Sequence, residues 1–153
     1  MSLFNIFHIA SAGMSAQRER LEAASANLAN SETTRTAEGG PYRRRDVVFE
    51  ASAIDAGQPV SFSSSLGSLL EDSSPPSQSV RATTIVSQLN NGVRRFQPNH
   101  PDADADGYVV MPDVDPLEET VNMMSAARSF EANSTAFNTA KEMARASLKL
   151  GEV

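Results

Sequence analysis

The 153-residue chain contains no cysteine and no tryptophan, and only two tyrosines. Without cysteine there can be no disulfide, no thiolate-bound zinc and no thiol nucleophile. The compartment stays open, because an extracytoplasmic protein need not use disulfides. Positive charge is also scarce. Thirteen Lys and Arg against nineteen Asp and Glu leave a net charge of −6, which argues against a nucleic-acid partner, for which a basic footprint is the rule. The one dense basic run, Arg43 to Arg45, falls in a strand-like stretch and reads as a solvated edge. No apolar run reaches the length of a membrane-spanning helix. The opening "MSLFNIFHIASAGMSAQ" has no positive n-region, and Asn5 and His8 interrupt its apolar part. Its hydrophobic period continues past any cleavage point, so it reads as mature structure rather than a secretory signal.

Catalytic constellations are equally sparse. His8 and His100 are the only histidines, one in a helical seam region and one beside two prolines. There is no G-x-S-x-G, no P-loop and no H-E-x-x-H. The chain reads as a non-enzyme with no catalytic residue, cofactor or metal ligand. One motif tests that reading. "HPDADADGYVVMPDVD" places Asp102, Asp104, Asp106 and Gly107 as D-x-D-x-D-G, the start of a calcium loop. Position 12 is then Asp113 rather than Glu, Pro112 biases Met111 away from helix, and Gly92, Pro98 and Pro101 oppose an entering helix. An EF-hand is excluded, and the expectation is a solvated acidic turn, with a helix-free calcium-binding module as an alternative.

Hydrophobic spacing organises the remainder. Leu3, Phe7, Ala10, Met14, Gln17, Leu21, Ala24 and Leu28 recur at intervals of 4 and 3, a coiled-coil seam. Ile6, Ile9, Gly13 and Ala16 form a second seam beside it, more than one partner helix can cover. Asn30 is suited to a left-handed cap at the end of this helix. "DVDPLEET" opens a second helix, with Asp115 as N-cap, Pro116 at N1 and Glu118 at N3 in a capping-box-like pair. Met123, Ala127, Phe130, Ser134, Phe137, Lys141, Ala144 and Leu148 repeat the seam spacing along it. "PYRRRDVVFE", "VRATTIV", "VRRFQ" and "GYVVM" read as three or four strands. The Ser- and Pro-rich residues 50–79 read as a flexible loop in which "SLGSLLED" could turn once as helix. That stretch offers little to bury, so the core comes from elsewhere. The fold class expected is mainly α with a small β subdomain: residues 1–31 and 116–153 as a coiled coil, and 32–115 as the short-stranded insertion.

At this point the residues resemble a known family. "ASANLANSETTRTAEGGPYRRRDVVF", "HPDADADGYVVMPDVD" and "MMSAARSFEANSTAFNTAKEMARASLKLG" are similar, in that order, to signatures of the bacterial flagellar rod and hook axial proteins. The residues that carry this are Asn27, Ala29, Asn30, Thr33, Gly40, Pro41, Tyr42, His100, Pro101, Gly107, Tyr108, Pro112 and Asn133. The resemblance covers roughly residues 1–49 and 97–151; residues 50–96 look longer than the family's usual middle. It implies a structural subunit of the proximal rod of the flagellar basal body, one that polymerises through its terminal helices into a helical, torque-transmitting tube. It also implies a periplasmic location, export by the flagellar type III apparatus without signal cleavage, and other rod and basal-body subunits and further copies of itself as partners. The assembly interface expected is Leu3, Phe4, Ile6, Phe7, Ile9, Ala10, Met14, Leu21 and Leu28 with Met123, Phe130, Phe137 and Leu148, and residues 3–16 are expected to be free to order on assembly. Without the motifs, the same stripes would suit a soluble hairpin, a homodimer or a generic coiled-coil adaptor.

Overall fold

The computed structural model describes residues 3–53, 78–87 and 92–150. Two long helices enclose four strands in the order α1 (Leu3–Ala29), β1 (Arg45–Ala53), β2 (Gln78–Val86), β3 (Val93–Phe96), β4 (Tyr108–Met111) and α2 (Pro116–Leu150). The helices run antiparallel. Near one end the rings of Phe7 and Phe137 meet edge to face with centroids 5.0 Å apart. Further along, Gly13 lies under the Asn133 side chain, and near the other end Arg20 Nη2 donates to Asn122 Oδ1 at 3.0 Å. Small residues are buried on both helices, Ala10, Ala16, Ala23 and Ala24 on α1 and Ala126 and Ala140 on α2, and where two helices meet small side chains let the backbones approach closely. A Cβ on Gly13 would sit 2.8 Å from Asn133 Nδ2.

The face that α2 turns inward carries Asn122, Ala126, Ser129, Asn133, Phe137, Ala140 and Ala144. Through its first half this is one residue, or about 100°, away from the seam expected at Met123, Ala127, Phe130 and Ser134. Apolar spacing selects the largest side chains, whereas a close backbone approach selects the smallest. Phe130 is consequently left exposed at the margin of the contact.

The strands form two separate antiparallel ribbons, β1 with β2 and β3 with β4. In the first, the register runs from Arg45 opposite Val86 to Ala53 opposite Gln78. Residues 50–53 and 78–79, expected as loop, therefore belong to the ladder. The rest of that loop, "SLGSLLED" included, lies outside the described residues. The β1–β2 ribbon packs on α1, with Thr84 Oγ1 donating to Glu19 Oε1 at 2.8 Å.

Helix ends follow local chemistry. Leu117 N–H donates to Asp115 Oδ1 at 2.9 Å, the expected N-cap. The reciprocal half of the capping box does not form, because Glu118 is drawn to Arg44 instead. Asn30 does not adopt a left-handed conformation; among the described residues only Gly39, Gly40 and Gly107 have positive φ. Its amide side chain instead donates to the Ala26 carbonyl at 2.8 Å, the same oxygen that accepts the Asn30 backbone amide at 3.1 Å.

Candidate assembly surface and the clamp that orients it

Asn27 is 2% exposed and replaces a strand partner at the entrance to β1. Its Nδ2 donates to the Arg45 carbonyl at 2.8 Å, while its Oδ1 accepts from the Arg45 amide at 2.8 Å and from the Tyr42 hydroxyl at 3.0 Å. No other side-chain type supplies an adjoining donor and acceptor at that reach, apart from the longer glutamine. The Tyr42 amide in turn donates to the Thr33 carbonyl, and Thr33 Oγ1 donates to Asn30 Oδ1 at 3.2 Å. Gly39 and Gly40, at φ of 86° and 80°, turn the chain between these points in a conformation that strains other residues. Burial, and to a smaller degree the charge of Glu119, raises the Tyr42 pKa above its ordinary 10.0 despite the opposing charge of Arg45. The signature residues from Asn27 to Tyr42 thus form one clamp fixing the β1–β2 ribbon against the end of α1.

A second tie joins the ribbon to α2. Arg44 Nη2 reaches Glu118 Oε1 at 3.0 Å, and Arg44 Nε lies 3.1 Å from Asp46 and 3.2 Å from Glu119. Glu119 is 2% exposed, and its contact with Arg44 Nε is an ion pair without hydrogen-bond alignment. Burial acts to lower the Arg44 pKa, but the Glu118 hydrogen bond and three carboxylates outweigh it and carry it above its ordinary value. Arg44 is therefore not a solvated edge residue. Run composition gave no hint of this, because the partners lie far along the chain, in the first turn of α2.

The acidic turn is also a structural link. Asp102 Oδ2 accepts from Thr34 Oγ1 at 2.7 Å, and its amide donates to His100 Nδ1 at 3.1 Å. The Asp104 amide donates to the Tyr108 carbonyl at 2.8 Å, and its carboxylate faces Arg94 at 3.9 Å. The first two carboxylates of the motif thus turn to separate partners. Among the described residues, no group of three acidic or histidine side chains is placed to hold a metal. Gly107, at φ of 77°, closes the turn, and beyond it Arg94 stacks over the Tyr108 ring, which meets Phe96 edge to face. Pro112 is buried where the chain leaves β4.

The candidate interface residues divide by environment. Ala10 is buried, while Ile6, Phe7, Ile9, Met14, Leu21, Leu28, Met123 and Phe137 are half-buried in or beside the helical hairpin. Phe130 is exposed and Leu148 is 72% exposed. The side chains of Leu3 and Phe4 lie outside the described residues. Spacing missed other solvent-facing apolar side chains: Val48, Phe49, Ile85 and Val86 on the first ribbon, Val93 and Phe96 on the second, and Leu117, Val121, Met124 and Met143 on α2. Among the described residues, no helix is long and apolar enough to cross a membrane.

Residues 7–35 match the family described as flagella basal body rod protein, and residues 105–150 match the one described as flagellar basal body rod FlgEFG protein C-terminal. The chain is 38% identical to the flagellar basal-body rod protein FlgC of Borreliella burgdorferi over 154 residues, covering 98% of each chain. It belongs to the FlgC family of flagellar basal-body rod proteins. FlgC of Bacillus subtilis is 36% identical and that of Salmonella typhimurium 38%, each over 99% of this chain and 100% of the relative. These FlgC alignments span essentially the whole of both chains, so the middle is of ordinary length for the FlgC family, not longer as the resemblance suggested.

Proposed function

We infer that this chain is a structural subunit of the flagellar basal-body rod and not an enzyme. The observation that carries the reading is similarity to FlgC proteins along essentially the whole length, through both helices and the clamp between them. The physics is consistent with it. A subunit of a helical array needs different patches for its neighbours on different sides, and heterologous contacts whose rotation does not close generate such an array. The uncovered apolar side chains on both ribbons and on α2 supply patches of that kind. In this reading residues 1–31 and 116–153 form the coiled-coil unit that packs into the rod wall, and 32–115 form the β insertion. The chain passes through the type III export apparatus without cleavage, resides in the periplasmic rod, and contacts other rod subunits and its own copies through its terminal helices. The test is mass spectrometry of basal bodies purified from the native host. The chain should be recovered there in fixed ratio to other rod components and with its amino-terminal segment intact. Basal bodies complete in every other rod component but lacking this chain would refute the reading.

A further inference from the structure

The hydrogen bonds of the first ribbon reveal which backbone groups of β1 face outward. The Ser87 amide donates to the Arg44 carbonyl at 2.9 Å, so these two residues are a hydrogen-bonded pair. Such pairs alternate along an antiparallel ladder. With Arg45 opposite Val86, the backbone groups of Asp46, Val48 and Glu50 turn to β2, and those of Arg45, Val47, Phe49 and Ala51 turn to the outer edge. At Arg45 that edge is filled, because the Asn27 side chain takes the place of a neighbouring strand. Among the described residues the outward amides and carbonyls of Val47, Phe49 and Ala51 have no partner. An open edge of this kind is a template for one more strand.

The space beside it fits one strand and no more. A cleft of about 410 Å³ runs between β1 and α2, lined by Val47 and Phe49 on one side, Glu119 and Asn122 on the other, and Ala23 of α1. The single Arg44 side chain bridges from β1 to Glu118 and Glu119 at its head. A strand bonded to β1 lies about 4.8 Å away, within that span, whereas the second strand of another copy's ribbon, at twice the distance, would run into α2. Two buried groups of the same cleft also lack a hydrogen bond. Glu119 is 2% exposed and its Oε1 accepts none, while Arg44 Nε, 3.2 Å away, donates none. Buried polar groups are as a rule paired, and one hydroxyl oxygen placed between these two atoms donates to the first and accepts from the second.

We propose that the outer edge of β1 from Val47 to Ala51 takes an extended segment of a different protein chain as a third strand, with a Ser or Thr hydroxyl of that segment bridging Glu119 Oε1 and Arg44 Nε. Main-chain bonds to the edge supply the affinity, and the one side chain that reaches Glu119 fixes the register. The proposal rests on the rod reading for where the segment is met, in another component of the basal body. Its geometry makes a sharp variant available. Val47 and Ala51 turn their amides outward, so proline at either removes a donor from the edge and none from the β1–β2 ladder.

With p-benzoylphenylalanine in place of Phe49, irradiated basal bodies should yield this chain cross-linked to a polypeptide of different mass, at a segment containing Ser or Thr. Val47→Pro with Ala51→Pro should reduce that product at least tenfold, while the purified variant keeps its helical circular dichroism and its thermal midpoint. Val48→Pro, which removes a ladder bond, should lower the midpoint. Amide exchange reads the same edge without any substitution. Val47, Phe49 and Ala51 should exchange at least tenfold more slowly in basal bodies than in the purified chain, and Val48 and Glu50 should be slow in both. A product of twice the chain's own mass, a cross-link within the chain, a product undiminished by the prolines, or no product with unchanged exchange would overturn the proposal. Basal bodies that hold the chain but give one of these results sink the strand addition and leave the rod reading standing. Basal bodies without the chain sink the rod reading and the proposal together.

Discussion

Replacing Asn27 by alanine removes three hydrogen bonds at once and leaves the Arg45 amide and carbonyl facing a small cavity closed to water. Asn27 is 2% exposed, and its partners lie at 2.8, 2.8 and 3.0 Å, so solvent cannot enter to replace it without opening the clamp. An unsatisfied buried polar group costs about 1 to 3 kcal/mol, and two are created. Relaxation of the Arg43 to Arg45 segment recovers part of this, which puts the expected loss at about 2 to 5 kcal/mol. For a chain of this size that lowers the midpoint of thermal unfolding by roughly 5 to 15 °C. Tyr42→Phe, which removes one bond from the same cluster, should cost about 0.5 to 1.5 kcal/mol. Urea unfolding of the purified variants, followed by helical circular dichroism, measures both. Asn27→Asp keeps the acceptor but sets a carboxylate against the Arg45 carbonyl, so it should not restore stability. If Asn27→Ala unfolds within 0.5 kcal/mol of the unaltered chain, or Asn27→Asp fully substitutes for it, the clamp does not hold the ribbon.

Phe7→Glu and Phe137→Glu each place a carboxylate in the same ring contact, so both should destabilise the isolated chain by similar amounts. A silent Phe7→Glu beside a damaging Phe137→Glu, read by thermal unfolding, would mean that the amino-terminal turns of α1 are not packed in the monomer. Arg44→Met leaves the Glu119 carboxylate buried without its cation and should cost roughly 1 to 3 kcal/mol in urea unfolding, whereas Arg44→Met with Glu119→Leu should recover much of it. Recovery by Glu118→Leu instead would assign the tie to the wrong carboxylate. Tyr42 has its folded pKa raised above 10.0, so its contribution to stability is fully present below pH 10 and is lost as pH climbs through the raised value. Urea midpoints measured from pH 8 to 11 should fall at the alkaline end, less steeply for Tyr42→Phe; equal slopes would refute this.

Both helices were legible because their signals are local: the 4, 3 spacing of α1, and the Asp115, Pro116 start of α2. The four strands were legible from β-branched runs, but their pairing was not, because nothing in "VRATTIV" or "VRRFQ" states which strand lies opposite. The inward face of α2 was misplaced by one residue for a definite reason. Phe130 is the larger apolar side chain, yet Asn133 fits over Gly13, and a Gly that lets another helix approach looks like any other residue in a spacing count. The clamp was visible only as a set of signature residues. That Asn27 mimics a strand edge depends on where Arg45 arrives in space, and the Arg44 to Glu119 tie spans too much sequence for charge patterning to reveal. The expectation that residues 3–16 lie free met Phe7 packed on Phe137 and Ala10 and Ala16 buried. Leu148, placed by seam spacing near the end of α2, has no cover among the described residues.

The most direct test of the account is electron microscopy of basal bodies from a strain lacking this chain, beside the same strain complemented with it. The deletion strain should show rings without an assembled rod. Complementation should restore the rod, with density in its wall for two antiparallel helices in which Phe7 faces Phe137 and a β ribbon is held at Asn27. A full-length rod of ordinary subunit composition in the deletion strain would contradict the claim that this chain is one of its structural subunits.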